Sequence, residues 1–323
     1  MDSLTHMLTG YSLGQFLQQV AKDIGVTNIN TLKGIAIAAF VGSLVPDLDS
    51  VIRTKGFEYY LKYHRSWSHA WPMWPILATA ITWMILFFQS NASFWPIWLA
   101  SMLGIGMHVG LDILNNYGTK WLLPFSQKWI HADVLPIFDP ILFAMHLSGV
   151  IITFIDPSTN GWCWHLIYCS MTLWILYRIS WRIRVKKRIR ARFGLQSEGI
   201  KLAPKFWPWQ WQYEVQTENH LLLGELNGKK IRLFHRLPAE QPINELVEKA
   251  SNLDGVRTFL GFAQRVHTTI HQLTDGCMIS LRDRRFRYKR KMPFGINLYF
   301  DVAGNMIRSE LGWHKKWWEP PFV

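Results

Sequence analysis

Five short stretches of the chain carry histidine, aspartate or arginine at spacings that suit metal coordination. They are Asp2-Ser3-Leu4-Thr5-His6, then Gly42-Ser43-Leu44-Val45-Pro46-Asp47-Leu48-Asp49, then His64-Arg65-Ser66-Trp67-Ser68-His69. The fourth pairs His108 with Asp112 and runs on into Asn115-Asn116-Tyr117-Gly118-Thr119, and the fifth is Phe138-Asp139-Pro140. His108 and Asp112 are four residues apart, so a helix presents both side chains on one face. Pro46 ends or breaks a helix just before Asp47, and Asp47 and Asp49 can serve one site only from such a non-helical turn.

The chemistry follows from the donor types. Imidazole mixed with carboxylate suits zinc first, with manganese or iron as alternatives, and not calcium, which prefers oxygen alone. The candidate ligands are His6, Asp47, Asp49, His64, His69, His108 and Asp112. That set exceeds the four donors of a structural zinc site, so one crowded ion or two ions roughly 3.5–4 Å apart are expected. Such a centre activates water for hydrolysis. Asp49 and Asp112 are candidates to handle the proton, and Arg65 to clamp a phosphate or carboxylate. Arg65, Asn116, Thr119 and Asp139 are the candidate substrate contacts.

Each stretch alone has a plainer explanation. His6 could be a capping residue, Asp47 and Asp49 could satisfy a broken helix end, and His64 and His69 could be ordinary loop histidines. His108 with Asp112 inside a long apolar segment is harder to assign to packing, because ionisable residues there are expensive. Their convergence on one side of a membrane is what carries the inference.

The elements that must position these residues read as membrane helices. Five segments approach the about 20 apolar residues a bilayer requires: 33–52, 71–89, 94–114, 138–155 and 162–179. Residues 3–21 form a weaker sixth, too rich in Thr, Ser and Gln to face lipid all round. Eight Lys or Arg lie between 178 and 192, directly after the last span, which places that end in the cytoplasm. The loops 53–70 and 115–137 then fall inside with their own Lys and Arg, whereas 90–93 and 156–161 carry none. A five- or six-helix all-α bundle in a membrane is expected, multi-pass, with every candidate ligand near its cytoplasmic face.

Composition agrees. Aromatics make up 15% of the 323 residues, including 18 Trp, as interfacial anchors require. The net charge of +13 could suggest nucleic acid, but the basic cluster abuts a span, which points to topology and to anionic lipid. Nucleic acid is not the expected partner. The three Cys (Cys163, Cys169, Cys277) match neither a disulfide framework nor a zinc knuckle, and no cleavable signal peptide is expected.

Past the basic segment the pattern changes. Period-two runs at 212–215, 230–234, 278–282 and 296–302 predict strands, with turns at Asn227-Gly228, Asp275-Gly276 and Gly304-Asn305. Residues 242–252 and 256–271 read as short helices, and the run 282–291 as a solvated or membrane-facing basic strand. The expected division is a transmembrane domain with the metal site over 1–180, a basic linker over 181–199 and a small cytoplasmic α+β or mostly β domain over 200–323.

Taken in order, these motifs resemble the YdjM/YfhP-type family of membrane-bound metal-dependent hydrolases, also described as LexA-binding inner-membrane proteins. The resemblance rests on Asp2 to His6 with Gly10, Gly42 to Asp49, His64 to His69, His108 with Asp112, and Asn116 to Thr119, and covers about residues 1–180. Ser66 and Ser68 depart mildly from the family's motif but keep its His and Arg. The added C-terminal domain makes the chain similar to the YfhP-like members. The resemblance implies a hydrolase, located in the bacterial inner membrane.

The expected function is therefore a metal-dependent hydrolase acting at the cytoplasmic leaflet on a lipid-linked or amphiphilic ester, phosphate or amide. The alternative is a non-enzymatic membrane anchor or regulator whose C-terminal domain recruits a cytoplasmic protein partner. A transporter also uses buried His and Asp, but nearer the midplane.

Overall fold

The computed structural model describes residues 1–194, 199–238 and 245–316. The chain divides into two compact units. The first comprises Met1–Ser50, Arg65–Arg184 and Pro204–Pro208, and the second Val51–His64, Val185–Ala203 and Trp209–Val323.

The first unit is helical. It contains α1 (Ser3–Asp23), α2 (Ile29–Gly42), α4 (Met73–Phe88), α5 (Phe94–Leu114), α6 (Pro140–Ile155) and the first part of α7 (Asn160–Phe193), while α3 (Phe57–Tyr63) belongs to the second unit. After α2 the chain tightens into a 3-10 helix, Val45–Lys55, which begins at the expected Pro46 break. Leu32, Ile35, Ala38, Ile81, Ile85 and Ile97 are buried at the centre of the α2, α4 and α5 packing.

Helix α1 shows how a polar helix can be buried. Asp2 caps it, accepting from the Thr5 amide at 2.9 Å. Thr9 and Ser12 donate their hydroxyls to the helix's own carbonyls, Thr5 O at 2.8 Å and Thr9 O at 2.9 Å. Its glycines then allow close approach. A Cβ on Gly14 would stand 2.5 Å from Ala36 O, and one on Gly10 would collide with the Ser43 side chain. This is small-residue helix packing, in which backbones meet without side chains between them.

Two helical stretches are long and apolar enough to cross a membrane, Ile29–Lys55 and Phe94–Leu114. A third exists if the broken pair Phe57–His69 and Met73–Phe88 counts as one span. This is fewer than the five or six read from sequence. Helices α4 and α6 have 16 residues each. At 1.5 Å per residue they are about 24 Å long, short of the roughly 30 Å hydrocarbon core. Helix α1 is diluted by Thr, Ser and Gln, and α7 by His165 and Arg178. Arg178 is fully buried, with Nε and Nη2 donating to Val134 O at 3.2 and 3.0 Å and Nη1 to Pro208 O at 2.9 Å.

The second unit carries two four-stranded antiparallel sheets, ordered β1-β2-β3-β4 and β5-β6-β7-β8. The strands are β1 (Ile200–Pro204), β2 (Gln210–Gln216), β3 (His220–Asn227), β4 (Lys230–Pro238), β5 (Val266–Leu273), β6 (Gly276–Asp283), β7 (Phe294–Phe300) and β8 (Met306–Trp313). Asn227 pairs with Lys230, so Gly228 and Lys229 form the two-residue turn that Asn227-Gly228 announces, with Gly228 at φ 56°. Helices α8 (Glu245–Ala250) and α9 (Asp254–Phe262) precede the second sheet.

Two sequence expectations need correction here. The helix expected over 256–271 ends at Phe262, and β5 begins at Val266. Val266, Thr268, Thr269 and Ile270 are β-branched, and their fit to a pleated sheet outweighs the helical spacing. The run 282–291 is not a solvated strand either. Arg285 is buried and chelates Asp283, its Nη2 standing 2.6 Å from Oδ2. Arg284 pairs with Glu214 at 3.3 Å, and Arg287 donates to Gly224 O at 2.6 Å. Residues 195–198 of the expected linker and 242–244 of the expected helix lie outside the described residues.

Candidate metal centre

Four of the sequence candidates meet in the first unit. Asp47 comes from the 3-10 turn after α2, His69 from the short turn before α4, and His108 and Asp112 from one face of α5. One donor atom from each lies within 4.8 Å of all the others. His69, His108 and Asp112 are fully buried, and Asp47 is 18% exposed.

The separations have the scale of a coordination sphere. His69 Nε2 lies 3.2 Å from His108 Nε2, 3.6 Å from Asp47 Oδ1 and 3.4 Å from Asp112 Oδ2. His108 Nε2 lies 3.4 Å from Asp47 Oδ1 and 3.7 Å from Asp112 Oδ2. A tetrahedron with metal–ligand bonds of about 2.05 Å has edges of about 3.3 Å.

The outer contacts fix which atoms face inward. His108 Nδ1 is 2.6 Å from Ser43 O, a carbonyl that can only accept, so Nδ1 carries the proton and Nε2 presents its lone pair. Ser68 Oγ donates to the Asp49 carboxylate and lies 2.8 Å from His69 Nδ1. With its proton given to Asp49, Ser68 accepts from His69 Nδ1, and His69 Nε2 is also a lone pair. Two imidazole lone pairs then face each other beside two carboxylate oxygens. Asp47 Oδ1 and Asp112 Oδ2 are buried and have no hydrogen bond of good geometry among the described residues, though Arg65 Nε is an ion-pair neighbour 3.0 Å from Asp112 Oδ2. Four electron-rich atoms so placed repel one another, and a cation at their centre resolves that repulsion. The residues fit a divalent metal ion.

The other candidates have different places. Asp49 is not among the four. It accepts from Ser68 and from the Arg65 amide at 3.1 Å, and so orients His69 from outside. His6 stacks on His108, with ring centroids 3.7 Å apart, and its Nε2 reaches Asp112 Oδ1 at 3.2 Å. Asn115 Nδ2 and the Met1 amino group hold that same oxygen, while Oδ2 faces the two imidazoles and Arg65. Arg65 sits at a strained positive φ of 60° and puts Nε 3.0 Å from Asp112 Oδ2. Its Nη2 donates to Met1 O at 3.1 Å, while buried Nη1 has no hydrogen-bond partner among the described residues.

His64 belongs to the second unit, where it closes α3 and stacks on Tyr60 at 4.5 Å. Asp139 caps α6, accepting from the Ile141 and Leu142 amides at 3.1 and 3.0 Å. Asn116 is half-buried on the loop after α5, and Thr119 is buried there, bridged to Ile130 through the backbone. Sequence reasoning missed Ser43, Ser68 and Asn115 as supports. A carbonyl acceptor has no signature at all, but Ser68 and Asn115 lay inside the motifs. It also passed over His146, which is fully buried with Nδ1 2.7 Å from Ser12 Oγ, a hydroxyl that also lies 3.1 Å from Tyr168 OH.

Comparison with known proteins joins this geometry to a family. The profile described as YdjM inner membrane protein matches residues 1–183, the span that holds all four donors. The chain belongs to the YdjM inner membrane protein family. Residues 245–317 match a second profile, the YfhP C-terminal alpha/beta plait domain. The chain is 27% identical to the "Uncharacterized protein YfhP" of Bacillus subtilis (strain 168) over 327 aligned positions, covering 97% of this chain and 95% of that one. No solved structure matches. Family membership and the apolar helices together support membrane association.

Proposed function

We propose that this YdjM-family protein is a metal-dependent hydrolase of a lipid-linked or amphiphilic ester, phosphate or amide. The single observation behind the proposal is the set of five donor separations between 3.2 and 3.7 Å, which gather two imidazole nitrogens and the buried oxygens Asp47 Oδ1 and Asp112 Oδ2. A divalent ion held there supplies a Lewis acid and acidifies water toward neutral pH.

The chain's own residues supply the rest. Asp47, His69, His108 and Asp112 would hold the ion, with zinc the first choice and manganese or iron the alternatives. Asp49, outside the four and 16% exposed, takes the proton released as water attacks. Arg65, fixed by Asp112 and Met1 O, directs its spare Nη1 donor to the developing negative charge on the substrate. Asn116 and Thr119, on the loop that follows Asp112, are the proposed substrate contacts.

One observation favours a second reading. Four protein donors complete a tetrahedron, which is the habit of structural rather than catalytic zinc. In that case the protein is a membrane anchor or regulator, and its C-terminal domain recruits a cytoplasmic protein partner. Catalysis instead requires an open position for water, and Asp47, 18% exposed, is the donor of the four nearest to solvent.

The loop charges support a multi-pass protein, with 1–180 as the membrane domain, 181–199 as a basic linker touching anionic lipid, and 200–323 in the cytoplasm, and the family match supports the bacterial inner membrane as its place. The deciding experiment assays purified full-length protein, loaded in turn with zinc, manganese or iron, on amphiphilic esters, phosphates and amides. Turnover that disappears in His108→Ala supports the hydrolase. Stoichiometric metal without turnover on any of the three substrate classes favours the anchor.

A further inference from the structure

Arg65 is held from several directions at once. Its amide donates to Asp49 Oδ2 at 3.1 Å, and its carbonyl accepts from the Lys120 amide at 3.0 Å. Its Nε stands 3.0 Å from Asp112 Oδ2, its Nη2 donates to Met1 O at 3.1 Å, and the guanidinium lies 5.4 Å from the centroid of the Tyr117 ring. These contacts keep a non-glycine residue at φ 60°, a conformation that persists only where its surroundings over-determine it. One donor is left over. Nη1 is buried and has no hydrogen-bond partner among the described residues.

The loop that meets the Arg65 carbonyl carries a second donor of this kind. Asn115 Nδ2 braces Asp112 Oδ1 at 3.2 Å, and Asn115 Oδ1 accepts from the Tyr117 and Gly118 amides at 2.8 and 3.2 Å, which shapes the turn into Thr119. Gly118 takes φ 72°, and a Cβ there would stand 2.3 Å from Ile130 O. Thr119 is then pinned through its backbone, donating to Ile130 O at 3.1 Å and accepting from the Ile130 amide at 2.9 Å. Its hydroxyl takes no part in that bridge. Oγ1 is fully buried and has no hydrogen-bond partner among the described residues. An unpaired buried hydroxyl costs stability, so the fold gives no reason for Thr in place of Val.

We propose that Arg65 Nη1 and Thr119 Oγ1 take non-bridging oxygens of a phosphate ester. The assignment rests on the hydrolase reading and narrows its substrate from three classes to one. A phosphate ester presents at least two non-bridging oxygens, which carry charge before reaction begins. A carboxylic ester or amide presents one carbonyl oxygen, neutral in the ground state, and would leave one of the two buried donors unsatisfied. The guanidinium, planar and permanently charged, matches phosphate oxygens in geometry as well as in sign. In the hydrolysis, water adds its oxygen to phosphorus, the phosphorus–oxygen bond to the alcohol breaks, and the proton taken by Asp49 leaves with the alcohol.

The test is calorimetric titration of full-length, zinc-loaded protein in a neutral detergent. The ligands are inorganic phosphate and decylphosphonate, whose carbon–phosphorus bond does not hydrolyse. Thr119→Val should bind decylphosphonate at least about tenfold more weakly, a loss of about 1.4 kcal/mol. Its metal content should be unchanged, and its melting temperature should hold or rise as the unpaired hydroxyl is removed. Thr119→Ser, which keeps the hydroxyl, should bind as wild type does. Arg65→Lys, which loses the planar fork, should also bind at least about tenfold more weakly. Preference for decylphosphonate over inorganic phosphate assigns the phosphate to an amphiphile, and equal affinity assigns it to a soluble ester; both support the subsite. Binding of neither ligand, or equal binding by wild type, Thr119→Val and Arg65→Lys, overturns it. Turnover separates the phosphate assignment from the hydrolase itself. Hydrolysis of a carboxylic ester or amide but of no phosphate ester overturns the assignment and leaves the hydrolase standing. Decylphosphonate binding that depends on Thr119, without turnover of any class, keeps the phosphate subsite and removes the hydrolase.

Discussion

His69 and His108 point their Nε2 atoms at each other across 3.2 Å, although each ring's Nδ1 proton is already engaged, one by Ser68 and the other by the Ser43 carbonyl. Neutral imidazoles so constrained cannot hydrogen-bond to each other. The pairing is sensible as two adjacent ligands of one cation, with Asp47 and Asp112 as the other two.

The outer contacts on His69 should therefore set the affinity of the centre without being needed for its existence. Ser68→Ala and Asp49→Asn should each weaken metal binding about 10–100-fold while one ion still binds at saturation. Competition with a chromophoric chelator measures this. If both variants bound metal as tightly as wild type, Asp49 and Ser68 would have no orienting role.

Packing of α1 against α2 should matter to the centre through Gly10. A Cβ there collides with Ser43, whose carbonyl holds His108 and whose hydroxyl contacts His6 O at 3.2 Å. Gly10→Ala should destabilise the protein by about 1–3 kcal/mol and also lower metal affinity. Thermal unfolding in detergent and chelator competition read the two effects. An unchanged melting temperature would show that the helices have room to separate.

Asp139 provides the contrast. Its carboxylate is occupied by the first amides of α6, so Asp139→Ala should cost about 0.5–2 kcal/mol of stability. Metal stoichiometry should be unchanged. Loss of the ion in this variant would give Asp139 a role that its contacts do not show.

Asp47, His69, His108 and Asp112 were legible in sequence because ionisable side chains at the ends of apolar segments stand out against their surroundings. The ordering of roles was not. His6 and Asp49 have the same residue types as the four, and only the fold shows that one braces Asp112 and the other orients His69. Helix α1 was legible as a helix, but its burial depends on hydroxyls bonding to its own carbonyls, which composition does not report. The switch from α9 to β5 was hidden because Val266, Thr268, Thr269 and Ile270 also fit the helical spacing continued from α9. The span count was overstated, since α4 and α6 are shorter than the apolar runs that contain them.

The most direct test is the metal content of full-length protein purified without added chelator, measured by inductively coupled plasma mass spectrometry. Wild type is predicted to carry one transition-metal ion per chain. His108→Ala, His69→Ala and Asp47→Ala, each shown to be folded, are predicted to carry far less. A wild-type protein that neither retains nor takes up a transition metal, or variants that keep it in full, would contradict the account.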